Sequence, residues 1–82
     1  MDNYHTTSTP LASYLIAIGH ELINIDYSDS RHYEFVFSNN SKITQDATAY
    51  TIGKAMVNAP AYSNVFRKLM RLMRNQSQWG DE

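Results

Sequence analysis

"LASYLIAIGHELINID", residues 11–26, decides how this chain folds. Just before it, Ser8 or Thr9 can cap a helix, and Pro10 suits a first turn, where its missing N–H costs nothing. Leu11, Tyr14, Leu15 and Ile18 then fall at i, i+3, i+4 and i+7, on one apolar face. Gly19 supplies the left-handed residue that ends a helix. After a hinge at His20 and Glu21 the period changes to two, with Ile23, Ile25 and Tyr27 on one side. So short a hinge lets the strand double back beneath the helix, which places the first helix directly on the first strand.

Working outward, "SDSR" (28–31) is a polar turn, and "HYEFVFS" (32–38) alternates again with Tyr33, Phe35 and Phe37 on one face. The two strands form a hairpin. "NNS" (39–41) ends the second strand and caps a second helix, in which Ile43, Ala47 and Tyr50 recur before Gly53 stops it. "KAMV" (54–57) reads as a short third strand or as an extended connector. Asn58 caps the last helix, with Pro60 in its first turn. Tyr62, Val65, Phe66, Leu69, Met70 and Met73 keep a 3-4 spacing there, with Leu72 off the stripe, and predict a helix over 59–75. "NQSQWGDE" (75–82) is polar, and Trp79 is the residue able to pin it.

The architecture expected is α+β, a small antiparallel sheet covered by helices in the order α-β-β-α-(β)-α. Residues 1–8 read as a flexible N-terminus, 9–75 as one domain and 76–82 as a polar tail. Leu15, Ile18, Ile25, Phe35, Phe37, Phe66 and Leu69 supply the expected core.

A chain of 82 residues makes one domain with a thin core, burying about 60–65% of its unfolded surface. There is no cysteine to provide a disulfide or a thiolate metal site, which fits a reducing cytoplasm. Residues 1–9 lack the basic start and apolar stretch of a signal peptide. The longest apolar run, Tyr14 to Ile18, is far short of the ~20 residues that span a bilayer. A soluble, cytoplasmic protein without a membrane partner is the expectation.

Net charge is −1, but it is divided unevenly. Residues 1–50 carry Asp2, Glu21, Asp26, Asp29, Glu34 and Asp46 against Arg31 and Lys42. Residues 51–82 carry Lys54, Arg67, Lys68, Arg71 and Arg74 against Asp81 and Glu82. A partner responds to such local fields more than to the total.

Enzymatic constellations are hard to find. His5, His20 and His32 share no helical spacing, and "HELIN" lacks the second histidine of a zinc-protease motif. The glycines, at 19, 53 and 80, make no phosphate loop. His20 suits the end of the first helix, where a positive ring is favoured, or a contact at the helix-strand corner. Asp26 and Glu34 can neighbour each other on the outer hairpin face, a solubilising arrangement more often than an acid-base pair. Met56, Met70 and Met73 read as core or as an adaptable groove. Neither catalysis, a metal nor a cofactor is expected.

The best candidate is the basic side of the last helix. Arg67, Arg71 and Arg74 lie at i, i+4 and i+7, with Lys68 beside them and Lys54 expected near them in space. The helix contains no acid to pair with them. A solvated face is the plain reading. Yet three of these four helix cations are arginine, whose planar fork suits phosphate or carboxylate.

"LASYLIAIGHELINID", the strand "YEFVF", and a last helix entered through "VNAP" and continuing as "VFRKLMRLMR" together carry a resemblance. They resemble a group of short, uncharacterised proteins of phages and other mobile elements, known as a domain of unknown function. The likeness covers most of residues 9–74, while 38–54 is longer and more polar than the pattern. It implies a shared fold and a mobile-element setting, with no catalytic residues. The function expected is a non-enzymatic module that binds a nucleic acid or nucleoprotein complex. On the setting alone, it would be an antagonist of a host defence system such as CRISPR. The alternatives are a self-assembling or protein-binding module, including a homodimer seamed at Met70 and Met73, and a small enzyme with an unrecognised site.

Overall fold

A computed structural model describes residues 3–29 and 31–80. Met1, Asp2, Ser30, Asp81 and Glu82, assigned above to the N-terminal stretch, the hairpin turn and the tail, lie outside the described residues. Among the described residues six elements follow in order: β1 (Tyr4–Thr6), α1 (Thr9–Ala17), β2 (Leu22–Asp26), β3 (Glu34–Phe37), α2 (Ile43–Thr51) and α3 (Ala59–Asn75). The strands form one antiparallel sheet in the order β1-β3-β2, so the α+β expectation holds.

The opening stretch behaves largely as its pattern demands. Ser8 caps α1, its Oγ accepting from the N–H of Leu11 at 3.2 Å. Gly19 takes φ 108°, a conformation that strains any residue with a Cβ, and the chain enters β2 three residues later. α1 packs against both α2 and α3. Consequently five successive residues, Leu11 to Leu15, are buried. Among them Ser13 satisfies its hydroxyl by donating to the Thr9 carbonyl at 2.8 Å. The core joins Leu11, Leu15, Leu22, Ile25, Phe35, Phe37, Ile43, Ala47 and Leu69 across helices and sheet.

The structure corrects several expectations. β2 does not alternate simply, because Leu22 pairs with Phe37 while Asn24 pairs with its neighbour Val36, leaving Ile23 as the extra residue of a bulge. Two residues thus oppose one, which turns both Leu22 and Ile25 inward and leaves Ile23 51% exposed. Ile18, expected in the core, is the C-cap residue of α1 and is 37% exposed. Residues 54–57 form no strand, so the connector reading holds. The third strand comes instead from residues 1–8: Tyr4, His5 and Thr6 pair with Phe37, Val36 and Phe35. That stretch is anchored by Tyr4 packing on the core. In α3 the buried residues are Leu69 and Leu72, whereas Phe66 is only half-buried and Met70 is 42% exposed. The inward stripe is therefore Tyr62, Val65, Leu69, Leu72 and Met73.

The tail is held at the end of α3. α3 closes at Gln76, which takes a left-handed φ of 51°, and the Ser77 N–H returns to the Leu72 carbonyl at 2.8 Å. Trp79 lies half-buried against the core, pinning the segment as its size suggests. The Tyr27 hydroxyl donates to the carbonyls of Leu72 and Ser77.

Candidate functional site

α3 presents the basic face on a well-terminated helix. The Asn58 Oδ1 caps its start by accepting from the Ala61 N–H at 3.0 Å, and Pro60 sits in the first turn. At about 100° per residue, Arg67, Arg71 and Arg74 fall within a single narrow sector. That sector lies opposite the direction of Leu69, which is wholly buried, and of Leu72. All three arginines are exposed. Arg67 is steadied by donating from Nη2 to the Asn64 Oδ1 at 2.9 Å. Arg74 is in the last turn, where the helix dipole favours a cation. The exposed side chain of Met70 lies beside this stripe.

The other two basic residues are placed differently. Lys68 lies on the flank of α3, half-buried, with its ammonium 4.0 Å from the centre of the Trp79 ring. Lys54 is exposed in the connector ahead of the helix. The stripe itself consists of Arg67, Arg71 and Arg74.

The histidines show where chemistry is already committed. His20 sits in the corner between α1 and β2 with 9% of its side chain exposed. Its Nε2 is 2.7 Å from the Asp46 Oδ2 and its Nδ1 3.2 Å from the Asn40 Nδ2. The Asn40 Oδ1 already accepts from the Lys42 N–H at 2.8 Å, so its amino group faces the ring. Nδ1 must then accept and Nε2–H must donate to Asp46. Both ring nitrogens are occupied in tying the corner to α2 and to the turn that precedes it. Sequence spacing could not find this link, since 26 residues separate His20 from Asp46.

On the outer sheet face, Asp26 and Glu34 are cross-strand partners, as their positions suggested, and His5 Nδ1 meets Glu34 Oε1 at 2.9 Å. The Ser28 side chain, then its backbone N–H, hold the Asp26 carboxyl below its usual range. At the hairpin-turn end are two open polar clefts of about 300 and 240 Å³, sharing Thr7 and His32. Asp26 and Asp29 in the smaller one accept from the N–H groups of Ser28 and Arg31, both at 2.9 Å, which gives these acids a local turn-forming role. Over α2, burial first and then a hydrogen bond with Tyr50 push the Tyr62 hydroxyl above its usual range. No group of metal-binding side chains occurs among the described residues, and none of their helices is long and apolar enough to cross a membrane.

Among known families, one described as Domain of unknown function (DUF5659) matches residues 1–75. No curated protein and no solved structure matches the chain.

Proposed function

The chain belongs to the DUF5659 family, a domain of unknown function, and from that premise we propose that it is a non-enzymatic binding module for nucleic acid, free or within a nucleoprotein complex. Arg67, Arg71 and Arg74 contact the phosphate backbone. The observation that carries this reading is the exposure of three arginines opposite the buried face of one helix. Arginine forks bind phosphate oxygens in pairs. Arg67 and Arg74 are seven residues apart, about 10 Å along the axis, so the stripe spans more than one phosphate. The acids of the N-terminal half confine the attraction to this helix. The mobile-element setting and the role of antagonist to a host defence system such as CRISPR rest on the resemblance of the sequence and form the outer part of the proposal.

A second reading takes the same face as a protein-binding or homodimer surface. Exposed Met70 beside the arginines favours it, because an apolar side chain adds nothing to a phosphate contact. Met73, half of the seam expected from sequence, packs on the core instead.

Salt dependence tests the two readings. Binding of labelled single- and double-stranded DNA and RNA is measured at 50 and 200 mM salt. Three phosphate contacts predict an affinity loss of about 40-fold across that range, and each Arg→Gln substitution lowers the salt slope by about one. Absence of binding to all four probes, or an affinity indifferent to salt, overturns the nucleic-acid reading.

A further inference from the structure

β2 is an edge strand, and the tail treats its edge in an unusual way. The Gln78 Oε1 accepts from the Ile25 N–H at 2.7 Å, and its Nε2 donates to the Ile25 carbonyl at 2.8 Å. In an antiparallel ladder, an edge residue exchanges just this pair of bonds with one residue of the next strand. One side-chain amide here takes the place of a backbone. The Tyr27 hydroxyl holds the Ser77 carbonyl beside it, and the Lys68–Trp79 contact fixes the following residue.

We propose that the β2 edge is the docking site for an extended, basic peptide segment of a partner protein, and that Gln78 is the latch that holds it closed. The chemistry of the edge selects that occupant. Ile25 offers a donor and an acceptor already shown to take an amide. Ile23 and Asn24 are exposed on the same strand, one giving apolar contact and the other polar. Glu21 precedes the strand, with Asp26 at its end and Asp29 just past it, so the positive side chains of an incoming strand would be matched at both ends. A second copy pairing through its own β2 would instead bring two sets of these acids onto one edge. Ile25 belongs to the family-matched segment, whereas Gln78 lies beyond it. This surface is separate from the arginine stripe of α3 and independent of it.

The test uses the full chain and its Gln78→Ala variant, with a labelled peptide of alternating lysine and valine as the probe. Without peptide, exchange of the Ile25 amide with solvent should quicken at least about tenfold in the variant, while the Phe35 amide on the central strand keeps its protection. With peptide, amide resonances of Asn24 and Ile25 should shift, and the variant should bind about tenfold more tightly than the parent, having no competing amide to displace. If Gln78→Ala does not fold, Gln78→Glu replaces it, since it keeps the acceptor for the Ile25 N–H and loses the donor. Equal affinity of variant and parent, no binding, or shifts confined to residues away from β2 overturns the proposal. So does a dimer of the variant by light scattering, which would assign the edge to a second copy.

Discussion

α1 and α3 both bury apolar side chains and close in sharp turns, yet they are buried in different ways. α1 is nine residues long and enclosed, with five consecutive buried residues between its neighbours. α3 is 17 residues long and buries one stripe, leaving Arg67, Arg71 and Arg74 on the other side. Packing accounts for almost every residue of α1. It accounts for half of α3. What the fold does not require on α3 is where function has room to act, and substitutions on the two sides should separate accordingly.

The largest effect belongs to the enclosed side. Phe35, wholly buried beneath the helices, should cost about 3–5 kcal/mol when changed to alanine, enough to unfold a domain of ordinary stability. Denaturant unfolding measures this, and a loss under about 1 kcal/mol would mean that the core is not centred on β3. His20→Ala comes next, at about 2 kcal/mol, because it leaves Asp46 and Asn40 without their shared ring in a half-buried corner. A loss confined to a few tenths would show that water replaces the ring readily. Tyr27→Phe should cost about 1 kcal/mol by removing the hydroxyl that joins the hairpin to the end of α3. Its signature is a tail that loosens before the domain unfolds, read from Trp79 fluorescence against circular dichroism.

Much of the enclosed part was legible because local signals agreed with one another. The Gly19 stop and the Asn58-Pro60 start appear as read, Ser8 is the one of the two offered residues that caps α1, and Phe35 and Phe37 are buried as expected, although Val36 between them is buried too. The bulge at Ile23 was not legible, since Ile23 and Ile25 alternate perfectly and nothing in composition marks an inserted residue. β1 is only three residues long, too short for any period, and depends on a partner strand some 30 residues away. The stripe of α3 was misplaced towards Phe66 and Met70 because hydropathy alone does not distinguish them from Leu72. Of the site, the arginine stripe was legible from spacing alone. The diversion of Lys68 to Trp79 and the hold of Gln78 on Ile25 were not, because both depend on where the tail folds back.

The central claim is that the outer face of α3 serves a partner and not the fold. Reversing Arg67, Arg71 and Arg74 to glutamate together tests it, with thermal unfolding and nucleic-acid binding measured on the same preparation. The account predicts an unfolding midpoint within a few degrees of the parent, as for exposed sites away from the core, and binding reduced below detection. A triple variant that folds and binds as tightly as the parent would contradict it, and would leave the arginines as a solvated surface.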